Sequence, residues 1–332
     1  MQPKILVDYL TFTVGARCYL EQWGEDVDGL EYLADTDVLT SLCHDWHFGN
    51  LQLMARKGLY GYMYAYVGGG VTLAWGGCDT VLIQLSGQGC RLYETLYPDL
   101  DWLTLIQQIR AYKVHNISRL DIACDTFGQL SMDNLIKYTF AGRYVSRFRD
   151  YLVSIGTKER SIIWGAPSSR MRLRIYDKTM ERLRAGRSAA DVPDNWIRLE
   201  YQLRDAAADS FISAWMDTGS ISSAYFGIMA NQLRYVKSRD EDNPQRSVMT
   251  TWWAKFLGWA DKIPMAYKGG LDYNLDNLTK YVFDQAGSSI RTWLEIMDYD
   301  MQRFSGLVNN RNLNIKQQML LDSLGVHVSS NG

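Results

Sequence analysis

The sequence predicts an α+β fold in which a mainly antiparallel β-sheet is covered by helices and followed by a helical C-terminal region. In the first 205 residues, short runs rich in β-branched and aromatic residues alternate polar and apolar positions, which is the period of a strand. After about residue 205, apolar residues recur at spacings of three and four, which is the period of packed helices. We therefore expect an α+β domain over residues 1–205 and a helical region over residues 206–332 that packs on it.

Nine stretches are predicted as strands of the sheet. Glycines at 68–70 and 76–77 join neighbouring stretches and predict hairpin turns, because glycine adopts the backbone angles that tight turns need. In chain order the predicted strands span residues 5–14, 60–67, 70–75, 80–87, 118–126, 149–156, 160–166, 170–178 and 196–204.

Helices are predicted between the strands, at about residues 27–56, 98–112, 130–140 and 179–186. Their ends carry the usual signals, with Pro98 near a start, Ser131 as an N-cap and Gly186 after an end. The order of strand, helix, hairpins and helix occurs twice, the second time from Asp121 onward. This order predicts an internal pseudo-duplication.

Composition and cysteine usage exclude several classes of protein. The 332 residues carry a net charge of −2. No apolar run approaches the roughly 20 residues of a membrane helix, and Asp8 interrupts the N-terminal apolar run that a secretory signal would need. Five cysteines without a CxxC pair argue against a zinc ribbon or a disulfide scaffold. A cytoplasmic protein that does not act at a membrane is expected.

Charge is unevenly distributed along the chain. Residues 1–100 carry five Lys/Arg against twelve Asp/Glu, whereas residues 142–184 carry eleven Lys/Arg against four Asp/Glu. Such a basic block suits a polyanion such as nucleic acid, whose phosphates dominate binding affinity. A solvated surface without a partner explains the charge equally well.

A tyrosine lies among cations in the predicted strand RLRIYDK, residues 172–178. Alternate side chains of a strand point to one face, so Arg172, Arg174, Tyr176 and Lys178 are predicted to share a face. Nearby cations favour the ionised form of a phenol, whose ordinary pKa is about 10. The pattern is therefore suited to a tyrosine that loses its proton and attacks phosphorus.

Two other predicted strands place acids on one face. In SRLDIACD the residues Arg119, Asp121 and Asp125 share a side, and in WIRLEYQLR the residues Arg198 and Glu200 share a side. A charged side chain on a strand of a large sheet has to be solvated, paired or bound to a metal ion.

These residues allow two interpretations. If Asp121 and Glu200 face the same cleft as Tyr176, their oxygens suit Mg²⁺ or Mn²⁺, and the metal and the cations would assist attack on a phosphodiester. In the alternative, the charged residues form structural ion pairs between strands and Tyr176 is an ordinary half-buried aromatic residue.

Five segments, taken in order, resemble a known family. The segments are VDYLTFTV, QLSGQGCRLYE, ISRLDIACD, WGAPSSRMRLRIYDKTMER and WIRLEYQLR. Together they resemble the replication initiation factors of the Rep_trans type. These are rolling-circle initiators of certain plasmids and bacteriophages and are related to relaxases of some conjugative transposons. The resemblance runs from about residue 5 to residue 300, including MTTWWAKFLGWADKI and SSIRTWLEIM.

The resemblance implies a metal-dependent, site-specific enzyme that nicks and joins DNA, with residues 1–205 as its catalytic domain. Tyr176 would attack one strand at a replication origin, at a single-stranded or cruciform site. The products are a 5′-phosphotyrosyl link and a free 3′-OH. The implied partners are origin DNA, a host polymerase, a host helicase and a second copy in a possible homodimer. A relaxase of a conjugative element and a DNA-binding regulator without a covalent step remain as alternatives.

Roles for individual residues follow from their match to the family's motifs. Arg174 and Lys178 flank the nucleophile. Arg119 and Arg198 either contact DNA or hold the acids in place. The acids that could bind Mg²⁺ or Mn²⁺ are Asp121 and Glu200 and, further, Asp8, Asp125 and Glu181.

Contacts to DNA are also predicted at two turns. In SGQGCR, Gly87 and Gly89 either cradle a phosphate or form a plain turn with positive φ. WGAPSSR reads as a second turn, directly before the strand of Tyr176. The residues predicted to contact DNA at or beside these turns are Arg91, Ser169, Arg170 and Arg172.

The histidines depart from the pattern of the wider class of rolling-circle nickases, which bind metal through a His-hydrophobic-His motif. That motif is absent from the sequence, and His44 and His47 in CHDWH are predicted to have surface or packing roles. The sequence fits a branch that uses carboxylates. Trp252, Trp253 and Trp259 lie at helical spacing and are predicted to be core residues.

Overall fold

The computed structural model describes most of the chain between residues 3 and 311. The described residues are 3–16, 42–44, 46–48, 54–157, 159–258, 262–265, 275–280, 282–283, 287–311, 313 and 321. Contacts divide the chain into two compact units, Met1–Tyr267 and Lys268–Gly332. The boundary predicted after residue 205 lies inside the first unit. No helix among the described residues is long and apolar enough to cross a membrane.

The first unit is built on one antiparallel sheet of ten strands. Its strands are β1 (Lys4–Gly15), β2 (Met54–Leu59), β3 (Tyr62–Gly68), β4 (Val71–Trp75), β5 (Thr80–Leu85), β6 (His115–Phe127), β8 (Tyr151–Ile155), β9 (Arg160–Trp164), β10 (Met171–Asp177) and β11 (Trp196–Arg204). Two shorter strands, β7 (Tyr144–Ser146) and β12 (Leu233–Tyr235), pair with each other. The mainly antiparallel sheet predicted from the sequence is confirmed.

Helices occur in both units. Those of the first unit are α1 (Gly87–Leu96), α2 (Trp102–Ala111), α3 (Met132–Phe140), α4 (Lys178–Arg184), α5 (Ala206–Thr218), α6 (Ile221–Gln232) and α7 (Thr251–Leu257). The second unit contains α8 (Leu275–Lys280), α9 (Gly287–Ile296) and α10 (Met301–Asn309). Side chains of Ser86, Asp101, Ser131 and Asp177 accept backbone N–H groups and so cap α1, α2, α3 and α4.

The strand order supports the predicted pseudo-duplication. Across the sheet the order is β2-β3-β4-β5-β1-β6-β11-β10-β9-β8. β1 and β6 are neighbours at the centre of the sheet. On the side of β1 lie the four strands β5 to β2, and on the side of β6 lie the four strands β11 to β8. In both halves the strand beside the centre, β5 or β11, leads into two consecutive helices. The second half therefore begins with β6, which contains Asp121.

One face of the sheet is buried under helices. On β11 the side chains of Leu199, Tyr201 and Leu203 are fully buried, together with Phe211 of α5 and Met229 of α6. Each such burial stabilises the fold by about 1.5–3 kcal/mol. The helices after residue 205 therefore complete the core of the sheet.

The opposite face carries charged and polar side chains at its centre. Register pairs Tyr176 with Arg198, and Arg198 with Asp125 on the next strand. Because alternate residues share a face, this surface, which we call the polar face, unites side chains from three neighbouring strands. Its members are Arg119, Asp121 and Asp125 of β6, Arg198, Glu200, Gln202 and Arg204 of β11, and Arg172, Arg174 and Tyr176 of β10.

The segment SGQGCR differs from its predicted turn. Ser86 caps α1, and neither Gly87 nor Gly89 has positive φ. Gly89 instead allows close packing, because a Cβ atom there would lie 2.4 Å from the carbonyl oxygen of Gly70. The expectation of a glycine turn with positive φ was wrong, because Gly89 serves the contact of α1 with the hairpin of β3 and β4 and Gly87 lies against Asp8 of β1.

Two predicted helices are partly replaced by strands. Residues 54–56, at the end of the helix predicted at 27–56, belong to β2 in the structure, and most of the remainder lies outside the described residues. Residues 233–235 belong to the region after residue 205 that was predicted to be helical, but they form β12. Pairing with β7 supplies the hydrogen bonds that another helical turn would have made.

Candidate active site

Tyr176 is contacted by three side chains. Its hydroxyl donates a hydrogen bond to Glu200 Oε2 at 3.3 Å, and Lys178 Nζ donates to the hydroxyl oxygen at 3.3 Å. The guanidinium carbon of Arg174 lies 4.3 Å from the ring centroid. Tyr176 is only 5% exposed. The structure therefore brings together the tyrosine, the acid and the two cations that the sequence singled out.

Lys178 reaches Tyr176 from a different element than predicted. The strand β10 ends at Asp177, whose carboxylate accepts the N–H of Met180 and starts α4. Lys178 is the first residue of that helix, is 5% exposed, and forms an ion pair of 2.5 Å with Glu181. The lysine is thus fixed between Tyr176 and an acid one helical turn away.

The pKa of Tyr176 is shifted in the direction opposite to the prediction. Burial raises the pKa of the phenol strongly, and the negative charges of Glu200, Glu181 and Asp8 raise it further. Arg198 opposes this shift but does not overcome it. The expectation that neighbouring cations favour the phenolate was wrong, because the strand pattern revealed the cations but not the burial. In the protein alone, Tyr176 is a neutral hydrogen-bond donor.

Glu200 is a carboxylate with a raised pKa. Burial raises the pKa of this group first, and the charge of Asp8 raises it further, while Arg198, Arg174 and the Tyr176 hydroxyl lower it. A carboxylate with a higher pKa is a stronger base. Glu200 is therefore suited to accept the proton that Tyr176 donates.

Asp121 lies deeper on the polar face and is held by an arginine. Arg119 donates to both of its oxygens, at 3.0 Å from Nε and 2.6 Å from Nη2, and Asp121 is 2% exposed. Burial raises the pKa of Asp121 to about 7 despite this pairing, and the charges of Glu200 and Asp8 contribute. The three acids therefore repel one another electrostatically, and a bound cation would relieve that repulsion.

Arg198 joins two acids from different strands. Its Nε and Nη2 atoms donate to Asp125 at 2.7 and 2.8 Å, and its Nη1 atom donates to Asp8 at 2.9 Å. The residue is 6% exposed, and these carboxylates raise the pKa of its guanidinium. Arg119 and Arg198 therefore hold acids in place, which is one of the two roles predicted for them, and their contact with DNA stays a prediction.

The predicted metal ligands are near one another but do not form a ready-made site. Among the described residues, no three His, Cys, Asp or Glu side chains are arranged so that they could hold a metal ion together. Asp121 forms an ion pair with Arg119, and Asp8 forms an ion pair with Arg198. The donor chemistry nevertheless fits, because Asp8, Asp121 and Glu200 supply the hard oxygen ligands that Mg²⁺ and Mn²⁺ prefer.

The residues predicted to contact DNA occupy two separate places. Arg91 in α1 donates to the backbone carbonyl of Val7 and to Glu94 at 2.9 Å, so it is engaged within the protein. Ser169 and Arg170 lie in the turn before β10, and Arg172 follows on the polar face, where its Nε donates to Gly165 O at 3.4 Å.

The histidines and tryptophans have structural contacts. The ring of His47 lies 5.3 Å from that of Tyr97. Trp253 is fully buried and donates to Leu233 O, and Trp252 packs against the same core. The predicted core role of these two tryptophans is confirmed, whereas Trp259 lies outside the described residues.

Two residues on or beside the polar face were not singled out from the sequence. Glu159 accepts hydrogen bonds from Ser161 at 2.8 Å and from Arg174 at 3.2 Å, and so holds Arg174 over the tyrosine. Arg204 lies at the end of β11, where its backbone N–H donates to the carbonyl of Arg170. The alternation in WIRLEYQLR already put Arg204 on the side of Glu200, but no sequence signal marked Glu159, which precedes β9 in a loop.

Comparison with known proteins agrees with the fold and the sequence motifs. The replication initiation factor family model matches residues 115–308. A protein of Bacillus subtilis (strain 168) described as "Putative DNA relaxase NicK" is 25% identical over 233 residues, which is 66% of this chain and 65% of the relative. The chain thus spans just under two thirds of that relative's length.

A solved structure shares the fold. The rolling circle replication initiator protein from Geobacillus stearothermophilus aligns with a TM-score of 0.58 and 24% identity, over 80% of this chain and 100% of that chain. The region matched by the family model includes β6, β10 and β11, and with them Asp121, Tyr176 and Glu200. The chain belongs to the replication initiation factor family.

Proposed function

We propose that this protein is a rolling-circle replication initiator that cuts one DNA strand at an origin and becomes joined to it through Tyr176. The observation that carries the proposal is the hydrogen bond from the Tyr176 hydroxyl to Glu200 Oε2, with Lys178 Nζ on the same hydroxyl oxygen. A phenol becomes a nucleophile when a base takes its proton and a cation stabilises the phenolate, and Glu200 and Lys178 are placed for these two roles.

The covalent step exchanges one phosphodiester bond for another. Tyr176 Oη gives its proton to Glu200 and attacks the scissile phosphorus. The bond between phosphorus and the 3′ oxygen breaks, and its electron pair leaves with that oxygen, which takes a proton to become a 3′-OH. Lys178 stabilises the developing phenolate, and Arg174 offers a positive charge to the phosphate. The product is a 5′-phosphotyrosyl link.

Attack by a 3′-OH on the same link would reverse the step and rejoin a strand. The enzyme would therefore act both as an endonuclease and as a strand transferase without an external energy source. The free 3′-OH serves as the primer for a host polymerase, and a host helicase would unwind the duplex ahead of it. A homodimer, formed with a second copy of the chain, belongs to the same proposal.

A divalent cation belongs to the proposal as well. Asp8, Asp121 and one oxygen of Glu200 would hold Mg²⁺ or Mn²⁺, while Glu200 Oε2 stays free to take the Tyr176 proton and Asp121 exchanges its contact to Arg119 for the ion. When bound, the ion polarises the phosphodiester and lowers the electrostatic repulsion among the acids. The raised pKa values of Asp121 and Glu200, to which the neighbouring acids contribute, support a cation site here.

Two other functions would use the same chain. A relaxase of a conjugative element would use identical chemistry on a transfer origin, and genetic context separates it from an initiator. A DNA-binding regulator would need the basic residues alone. The buried contacts of Tyr176 favour an enzyme, because binding DNA does not require a phenol hydrogen-bonded to a base within the protein.

The proposal is tested by incubating the protein with single-stranded and supercoiled DNA of its replicon in the presence of Mn²⁺. We expect a nicked strand whose 3′-OH a polymerase extends and whose 5′ end migrates with protein in denaturing gels. Tyr176→Phe should bind the DNA without nicking it. Tyr9→Phe is the matched control, because Tyr9 also lies under an arginine, Arg119, at 4.0 Å. Nicking by Tyr176→Phe at the wild-type rate would refute the proposal.

A further inference from the structure

The polar face continues beyond Arg174 into a second group of cations. Arg172 lies two residues before Arg174 on β10, and Arg204 lies at the end of β11, where its backbone N–H bonds the carbonyl of Arg170. Strand residues advance by about 3.3 Å each, so Arg174, Arg172 and Arg204 lie about 7, 13 and 20 Å from Tyr176 along the strands. The three arginines form a line that starts at the nucleophile.

The charges of the two outer arginines are not neutralised. Within the described part of the chain, no carboxylate forms an ion pair with Arg172 or Arg204. Asp205 interacts electrostatically with Arg204 without pairing with it. Burial and the positive charges of Arg204 and Arg174 lower the pKa of Arg172, which shows that the like charges repel one another. This repulsion disfavours the fold unless an anion is bound.

Neutral acceptors hold both guanidiniums in place. Arg204 Nη1 donates to the carbonyls of Pro167 and Ser169 at 3.0 and 3.5 Å, and its Nη2 donates to Gln202 at 3.1 Å. Arg172 Nε donates to Gly165 O at 3.4 Å. Carbonyl and amide groups fix the orientation of an arginine without cancelling its charge. Preorganised cations of this kind recognise phosphate, because little side-chain entropy is lost on binding.

Building on the proposed nicking function, we infer that Arg172 and Arg204 form a phosphate track for the single strand that is cut at Tyr176. The scissile phosphate lies at Tyr176, and the next phosphates on one side contact Arg174, then Arg172, then Arg204. Alternate residues of a strand lie about 6.7 Å apart, a step similar to the distance between successive phosphates of an extended DNA strand.

Charge also selects the direction in which the strand runs. In register with Tyr176, the polar face carries Arg198, which is paired with Asp125 and Asp8. On the side of Tyr176 away from Arg172, β10 ends at Asp177, and the next cation, Lys178, is paired with Glu181. Phosphates are repelled by those acids and attracted by the unpaired arginines. The strand therefore leaves the nucleophile along β10 toward the turn that contains Ser169. Contacts to phosphates position the strand and carry no sequence information.

The first test counts phosphate contacts by salt dependence. A random single-stranded 12-mer is titrated by fluorescence anisotropy over a series of NaCl concentrations, with EDTA present. Each lost contact should reduce the slope of log Kd against log salt by about 0.7. We expect this reduction for Arg172→Gln and for Arg204→Gln. Arg110→Gln is the control, because Arg110 pairs with Asp209 on helices of the opposite face. Unchanged slopes for both track variants would overturn the inference.

The second test neutralises the DNA instead of the protein. Neutral methylphosphonates are placed singly at the four positions on each side of the nick in an oligonucleotide that the wild-type protein cuts. We expect weaker binding at the second and third positions on one side only. In Arg172→Gln, and likewise in Arg204→Gln, a methylphosphonate at one of these two positions should no longer weaken binding. Uniform sensitivity on both sides, or an unchanged pattern in both variants, would overturn the track. If nicking at Tyr176 persists in that case, the proposed function stands without it.

Discussion

The hydroxyl of Tyr176 and the carboxylate of Glu200 face each other across 3.3 Å, although 24 residues separate them in the chain. The antiparallel pairing of β10 with β11 creates this contact, since Arg174 is opposite Glu200 and Tyr176 is opposite Arg198. Burial raises the pKa of both groups. The proton therefore stays on the phenol until a cation enters.

Replacing Glu200 with glutamine tests its role as the base. The amide keeps the shape and an acceptor oxygen but cannot take a proton at neutral pH. We expect Glu200→Gln to lower the single-turnover rate of strand cleavage by about 10²–10⁴-fold, with a melting temperature close to that of the wild type. Glu241→Gln, at an exposed acid outside the site, is the control. A loss smaller than threefold would remove Glu200 from the chemistry.

Lys178 should contribute through its charge. Lys178→Met is expected to lower the cleavage rate by about 10²-fold, because one cation beside the developing phenolate is lost. Burial lowers the pKa of Lys178 from its ordinary value of 10.5. The wild-type rate should therefore fall at high pH as this lysine loses its proton, and Lys178→Arg should keep its rate to a higher pH. Identical pH profiles for the wild type and Lys178→Arg would contradict the role.

Removal of divalent metal should stop cleavage without unfolding the protein. We expect EDTA to abolish nicking and Mn²⁺ to restore it. Asp121→Asn should raise the Mn²⁺ concentration for half-maximal rate by about tenfold or more, since one hard oxygen ligand becomes neutral. Asp133→Asn is the matched control, because Asp133 is an exposed acid paired with Arg160. Full activity in EDTA would refute the metal proposal, and an unchanged Mn²⁺ requirement in Asp121→Asn would exclude Asp121 as a ligand.

Arg198 should matter more to stability than to the chemistry itself. Arg198→Met leaves Asp125 buried without a partner, and we expect the free energy of unfolding to fall by about 3–5 kcal/mol. In Arg110→Met only a partly exposed pair with Asp209 is lost, and the change should stay below about 1 kcal/mol. Urea denaturation of both variants measures the difference. Equal losses would mean that the buried arrangement around Arg198 contributes no more than a surface ion pair.

The sheet was predictable because its strands carry their own pattern. All nine predicted stretches coincide with strands, and the alternation in residues 172–178 correctly placed Arg172, Arg174 and Tyr176 on one face. The glycines at 69–70 and 76–77 adopt positive φ, as hairpin turns require. These features are local, so a single sequence contains them.

Features that depend on contacts between distant segments were not predictable. The close approach of Gly89 to Gly70 turned an apparent glycine loop into the first turn of α1. The pKa of Tyr176 depends on burial and on Glu181 and Asp8, which strand alternation does not reveal. Likewise, the pairing of Arg198 with two acids requires the register of β1, β6 and β11.

The account is tested most directly by identifying the residue that becomes linked to DNA. The trapped complex is digested with trypsin and nuclease, and the peptide that carries a nucleotide is sequenced by mass spectrometry. The account predicts residues 175–178, Ile-Tyr-Asp-Lys, with the phosphate on Tyr176. Phosphate on another tyrosine, or efficient strand cleavage with no linked peptide, would contradict it.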